Sequence, residues 1–208
     1  MKKGIFITME GPDGAGKTTQ IELLRDWLEE QDYEVVLTRE PGGTRISEDV
    51  RRIILNPDYK EMDAMTELLL YTAARAQLVA EVIGPAIESG KAVISDRFID
   101  STVVYQGIAR GLGIERVYEI NAHAIGPYMP DVTFLLDLSA EEGLRRKKAQ
   151  AELDRMEAEG LEFHRLVAEG YRSLADRNPK RIKKVDATLP KEVICDMIKG
   201  EVRSCMEP

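Results

Sequence analysis

The segment Gly11-Pro12-Asp13-Gly14-Ala15-Gly16-Lys17-Thr18 has the spacing G-x-x-x-x-G-K-S/T, and it joins two kinds of chain. Before it, Gly4–Met9 is a short apolar run rich in β-branched residues; after it, Ile21, Leu24 and Leu28 recur at helical intervals. A strand that turns through glycines into a helix at this spacing reads as a phosphate-binding P-loop. The glycines let backbone N–H groups turn inward toward phosphate oxygens. The helix N-terminus adds partial positive charge. Lys17 is placed for the β and γ phosphates of ATP, and Thr18 for Mg²⁺, with Thr19 beside it. The plainer reading is a glycine-rich turn with a solvated lysine, and it is the weaker one because motif and context coincide. Lys17 is expected to face solvent when no nucleotide is bound.

Short apolar runs alternate with longer amphipathic stretches along the remaining chain. Strands are expected at Gly4–Met9, Glu34–Thr38, Ala92–Ser95, Val132–Asp137 and Ile182–Val185. Helices are expected from Lys17, from about Met62 to Ile83 where Gly84-Pro85 interrupts or ends it, after Ser139 as N-cap, and after Pro190. This alternation implies an α/β chain of the P-loop NTPase type: a three-layer α/β/α fold with a mostly parallel five-stranded sheet flanked by helices. In such sheets ligands bind at the carboxyl ends of the strands. No repeat or linker divides residues 1–208, so a single domain is expected.

Composition removes several classes. Hydrophobic residues at 43% and charged residues at 32% describe a globular chain rather than a disordered one. No segment approaches ~18 consecutive apolar residues, so no membrane partner is expected. The first apolar run ends at Glu10, too soon for a signal peptide. Cys195 and Cys205 have no metal or redox spacing and read as free thiols of a cytoplasmic protein. A formal charge of -8 argues against a broad nucleic-acid surface, so positive charge for anionic ligands must be local. His123 and His164 have no catalytic neighbour in sequence and read as structural or surface residues.

A P-loop alone serves switches, motors, transporters and small-molecule kinases. No Asn-Lys-x-Asp guanine-reading motif occurs, and the chain is small for a motor. Asp96-Arg97 ends an apolar strand, where a carboxylate can hold Mg²⁺ directly or through water and an arginine can bridge two phosphates. A strand-end salt bridge is the other reading of this pair. Tyr71 and Arg75 lie one helical turn apart, and Arg75 falls on the stripe of Leu68, Thr72, Val79 and Val82. A partly desolvated guanidinium there needs a partner. The residues alone allow a base sandwiched by the tyrosine and read by the arginine, or a core tyrosine beside a structural ion pair. Asp13 inside the P-loop would be repelled by a triphosphate, so its presence points to a role.

Thr38-Arg39-Glu40-Pro41-Gly42-Gly43-Thr44, Tyr71-Thr72-Ala73-Ala74-Arg75, Asp96-Arg97-Phe98-Ile99-Asp100-Ser101 with Tyr105-Gln106-Gly107, and Leu153-Asp154-Arg155 accompany Glu10-Gly11-Pro12-Asp13-Gly14. In order and spacing, over nearly the whole chain, they resemble the thymidylate kinase family. That resemblance implies transfer of the γ-phosphate of ATP to dTMP with Mg²⁺, and a homodimer packed through helices. It also implies stacking of thymine on Tyr71, donation from Arg75 to O4, and contacts from Thr102 and Gln106 to the pyrimidine. Asp13 would meet the 3′-hydroxyl, Tyr105 would lie under the deoxyribose, and Arg51 would hold the acceptor phosphate. Asp186, after the last strand, would brush the adenine.

Members of this family close a lid over ATP and supply an arginine to the transferring phosphoryl. The P-loop here has no basic residue between Gly11 and Gly16, so the charge is expected from a lid at about 145–157. Gln150 stands where related lids often carry arginine. Arg146, Lys148 and Arg155 are the remaining candidates, with Arg155 preferred because a guanidinium grips two phosphate oxygens and Asp154 could hold its fork. A solvated basic helix face is the plainer reading of this run. Two alternatives to a dTMP kinase stay open: a kinase of another nucleoside monophosphate or of a deoxynucleoside, and a nucleotide-dependent switch.

Overall fold

Alternate residues of each strand face opposite layers, and here both layers are apolar. The structure, a computed structural model, describes residues 4–148 and 154–206, without the side chains of Lys147 and Lys148. Its strands are β1 (Ile5–Glu10), β2 (Val35–Arg39), β3 (Ala92–Asp96), β4 (Val132–Asp137) and β5 (Ile182–Asp186). Their order is β2-β3-β1-β4-β5, and every pair is parallel. Phe6, Val93, Leu135 and Ile182 point into one layer; Ile5, Ile7, Met9, Ile94, Phe134 and Val185 point into the other. Helices α1 (Lys17–Glu30) and α9 (Lys191–Met206) cover the second layer. Helices α3 (Ala64–Leu78), α6 (Ile114–Ile125) and α8 (Leu161–Arg177) cover the first, and α2 (Arg45–Leu55) packs on α3. Coverage on both faces explains why the strands read as near-continuous apolar runs. Each fully buried side chain of this size contributes ~1.5–3 kcal/mol of transfer free energy.

The long middle helix does not stop at Gly84-Pro85. It passes through a π-helical turn at Val79–Ile83 into α4 (Gly84–Glu88). Pro85 follows directly on the widened π-helical turn, which accommodates a residue that cannot donate a backbone hydrogen bond. After α5 (Ile99–Thr102), a second π-helical stretch, Val103–Ala109, leads toward α6. Helices α5, α6 and α8 go beyond those that periodicity marks. Among the described residues, no helix is long and apolar enough to cross a membrane.

Backbone hydrogen bonds between strand ends assemble the working edge of the sheet. Arg97 N–H donates to Met9 O at 2.9 Å, and Glu40 N–H donates to Asp96 O at 2.9 Å. The residues just past β1, β2 and β3 therefore lie side by side at the carboxyl edge.

Candidate active site

The P-loop fills the turn from β1 to α1. Gly14 has φ +77°, a conformation that L side chains rarely adopt. A Cβ there would also lie 2.8 Å from the carbonyl oxygen of Gly143, on helix α7 (Ala140–Lys148). Conversely, a Cβ on Gly143 would lie 2.7 Å from Asp13 O. The loop and α7 thus touch backbone to backbone. Lys17 does not face solvent. Only 7% exposed, it donates to the carbonyls of Gly11 and Pro12, each at 3.2 Å. The ammonium finds acceptors within the loop that wraps it. Burial, reinforced by nearby Arg97, pushes its pKa down against the pull of Asp96, Asp13 and Glu10.

Arg97 stands where β1 and β3 end, with φ +71°. A left-handed conformation costs a non-glycine residue ~1–2 kcal/mol, so surrounding contacts must hold it. Its guanidinium donates to Asp13 Oδ1 at 2.8 Å, Tyr171 OH at 3.0 Å and Ser101 Oγ at 3.2 Å, and it lies 5.4 Å from the centroid of the Tyr105 ring. Beneath it, buried Glu10 accepts from Phe98 N–H (2.8 Å), Ser101 N–H (3.3 Å), Ser101 Oγ (2.6 Å) and Tyr171 OH (2.9 Å). Both hydroxyls can donate down to Glu10 and present lone pairs up to Arg97. Glu10 also satisfies N–H groups at the start of α5, where Phe98 provides no side-chain cap. Burial and the charge of Asp100 push Glu10 up to about 7, outweighing Arg97 and the hydrogen bonds.

On α3, Tyr71 and Arg75 line the same cavity. Arg75 is almost fully buried and forms an ion pair with Glu40, next to β2. The arginine therefore has a structural partner and also borders the cavity. Thr102 Oγ1 accepts from Arg75 at 2.9 Å. Arg51 donates to Pro41 O at 2.8 Å, and Gln106 donates to Glu67 Oε1 at 2.8 Å. The π-helical stretch turns Tyr105 and Gln106 to the cavity together. Burial raises the phenol pKa of both Tyr71 and Tyr105, keeping them protonated.

One cavity of about 580 Å³ joins these groups. Asp13, Lys17, Thr18, Thr19, Asp96 and Arg146 border it, as do Arg51, Tyr71, Arg75, Arg97, Thr102, Tyr105 and Gln106. From the P-loop, Gly14 and Gly16 also line it, while Gly11, Pro12 and Ala15 do not. Asp186 lies outside; its Oδ1 accepts from the N–H and Oγ1 of Thr188.

Arg155 does not take the place expected of a lid cation. It is 9% exposed, donates from Nε to Ile54 O at 2.7 Å, and forms an ion pair with Glu67 at 2.6 Å, outside the cavity lining. Glu67, itself buried, would be left as an uncompensated charge without cationic partners, and Arg155 supplies one. Asp154 does not hold its fork either; its Oδ1 accepts from the N–H groups of Met156 (2.8 Å) and Glu157 (2.9 Å). Arg146 does line the cavity, fixed by Glu142 at 2.7 Å and reaching Gly14 O at 3.4 Å. The Lys148 side chain, Gln150 and Leu153 lie outside the described residues. Glu40, Ser101, Met156 and Glu157 border the cavity without having been given a role from sequence, and Asp154 borders it in a role other than the one expected. All sit within or beside the motif segments, which was the available signal.

A phosphate cradle opening directly into a second pocket of arginines and tyrosines defines a P-loop phosphotransferase. The sequence model of thymidylate kinase matches residues 9–198. The thymidylate kinase of Clostridium novyi (strain NT) is 50% identical over 202 residues, covering 96% of this chain and 98% of that one. That of Geobacillus sp. (strain WCH70) is 48% identical over 207 residues, covering 99% of each. The crystal structure of thymidylate kinase from Ehrlichia chaffeensis superimposes with a TM-score of 0.76 at 33% identity, covering 96% of this chain and 98% of that one. The chain belongs to the thymidylate kinase family.

Proposed function

We propose that this chain transfers the γ-phosphoryl group of ATP to dTMP, giving ADP and dTDP for dTTP synthesis. The observation that carries this reading is the continuity of one cavity from Lys17 and Thr18 to Tyr71 and Arg75. Donor and acceptor can then meet within one cavity.

The nucleophile is an oxygen of a phosphate monoester, whose second pKa is about 6, so no general base is required. Catalysis is alignment plus neutralisation of charge. Lys17 leaves the loop carbonyls for the β and γ phosphates. Arg97, held by Asp13, Ser101 and Tyr171, sits between donor and acceptor. Arg51 takes the acceptor phosphate, Asp13 the 3′-hydroxyl, and Tyr105 closes the space a 2′-hydroxyl would need. Tyr71 stacks on thymine; Arg75 donates to O4, with Thr102 and Gln106 beside the pyrimidine. Arg146 is the lid cation in reach of the phosphates, in place of Arg155.

The residues fit Mg²⁺. Asp96 Oδ1 is buried and has no hydrogen-bond partner among the described residues, and Thr18 offers a hydroxyl on the same cavity. Both are hard oxygen donors. Among the described residues no cluster of three or more His, Cys, Asp or Glu side chains is set to hold a metal, so nucleotide phosphates would complete its coordination. When bound, the ion neutralises phosphate charge. The chain would act as one kinase domain over 1–208 with its lid at 145–157. It would work in the cytoplasm as a homodimer, for which exposed Ile46 and Ile53 on α2 and Leu69 on α3 offer an apolar face.

Turnover of a panel of monophosphates with Mg-ATP tests the reading. dTMP should be fastest, dUMP slower, and dCMP, AMP and GMP poor. Faster turnover of AMP or dCMP than of dTMP would overturn it.

A further inference from the structure

An arginine side chain carries five N–H donors in a fixed plane. At Arg75 the structure accounts for most of them. Nε–H is shared by the two oxygens of Glu40, at 3.1 and 2.9 Å. Nη2 donates once to Glu40 Oε2 and once to Thr102 Oγ1. Nη1 donates to Asn121 Oδ1 at 2.6 Å. Among the described residues, one Nη1 hydrogen is left over.

Asn121 is fully buried on α6 and does not border the cavity. Its amide is held at both ends. Nδ2 donates to Val117 O at 2.9 Å, while Oδ1 also accepts from Thr72 Oγ1 at 3.2 Å. A flipped amide would set NH₂ against the guanidinium, so the oxygen must face Arg75. Glu40 and Thr102 hold Nε and Nη2 but leave the Nη1 end of the plane without support. The third support, from a different helix, fixes it.

We propose that Asn121 is a specificity-determining positioning residue: by occupying one Nη1 donor it leaves Arg75 a single, immobile N–H for a carbonyl on the edge of the acceptor base. This rests on the reading that Arg75 faces the base. A base presenting an amino group there meets a donor that cannot turn away. Without the Asn121 oxygen, two donors are idle and the plane can move.

The test compares Asn121→Leu, which keeps the branched shape and removes the acceptor, with Asn121→Asp. Asp keeps an oxygen acceptor facing Arg75 whether ionised or protonated. The expected result for Asn121→Leu is a rise in KM for dTMP of about tenfold, the lower end for a charged hydrogen bond. Its preference for dTMP over dCMP should narrow, with kcat and KM for ATP within about threefold. Asn121→Asp should stay within about threefold in KM for dTMP. If Asn121→Leu does not fold by circular dichroism, Asn121→Ser, too short to reach the guanidinium, carries the same expectation. Equal losses for dTMP and ATP, or unchanged discrimination in a folded variant, would overturn the proposal. Arg75→Gln separates the two levels. If it raises KM for dTMP while Asn121→Leu does not, only the role of Asn121 falls. If Arg75→Gln leaves KM for dTMP unchanged, the base-facing role of Arg75 falls, and this inference with it.

Discussion

Gly14 and Gly143 meet so closely that neither could carry a side chain without moving backbone: the built Cβ atoms lie 2.8 Å from Gly143 O and 2.7 Å from Asp13 O. One glycine belongs to the phosphate cradle and the other to the helix that supplies Arg146. Their contact sets the distance between the P-loop and Arg146, the cation proposed to meet the phosphates. Gly143→Ala should therefore raise KM for ATP and lower kcat, each by about tenfold, because a misplacement on the ångström scale is enough to do so. KM for dTMP should hardly change. Steady-state kinetics with each substrate varied in turn will check this, and an unchanged KM for ATP would show that α7 yields freely.

Arg146 and Arg155 should separate cleanly. Arg146→Ala is expected to lower kcat by about a thousandfold, the low end of what an inserted arginine contributes to related chemistry. Arg155→Ala should affect stability more than rate, since it takes one cation from buried Glu67. Arg110 also pairs with Glu67, at 3.3 Å, so the loss should be about 1–3 kcal/mol, below that of an isolated buried pair. Urea unfolding beside kinetics decides it. A larger kcat loss at Arg155 would restore that residue to the lid.

Lys17→Met should abolish turnover without weakening the fold. Burial disfavours the ammonium of Lys17, so replacing it by an apolar chain of similar length removes a desolvation cost. The expected pattern is a kcat loss of at least about a hundredfold with an unchanged or higher Tm. A clear fall in Tm would mean that the hydrogen bonds to Gly11 O and Pro12 O hold the loop in shape.

Glu10 should make stability depend on pH. Its pKa is raised in the folded protein from 4.5 to about 7, so the folded chain binds a proton more readily than the unfolded one. The stability this contributes is fully present below 4.5 and is lost as pH rises through about 7. Glu10→Gln cannot ionise. Relative to wild type it should gain on the order of 1–3 kcal/mol between those two limits and nothing further above them. Urea melts of both proteins across that range will measure it, and a parallel pair of curves would place the titration elsewhere.

The strands were legible to within a residue because apolar, β-branched runs of that length have few other uses in a globular chain. The P-loop was legible because its function is contiguous in sequence. Tyr71 and Arg75 could be paired because helical geometry fixes residues four apart. What was hidden depends on contacts between distant segments. Arg75 is 35 residues from Glu40 and 46 from Asn121, and nothing in its own helix names either partner. The placement of Arg155 was hidden for the same reason: Glu67 is on another element, and only packing shows that it pairs with the guanidinium. The direction of Lys17 depended on carbonyls that a motif does not display. The π-helical turns shift the phase of a 3.6-residue pattern locally, so periodicity blurs at Val79–Ile83 and again at Val103–Ala109.

Because every paired strand runs the same way, the molecule has a busy rim and a quiet one. All the chemistry gathers past Glu10, Arg39 and Asp96, while the opposite rim carries simple connections such as the turn at Asp32, exposed and with φ +59°. That turn is separated from the cavity by the length of the sheet. A fluorophore, an affinity handle or a surface tether attached there would report on or capture the protein without standing in the way of either nucleotide, and replacing Asp32 by glycine at the same time would ease the backbone.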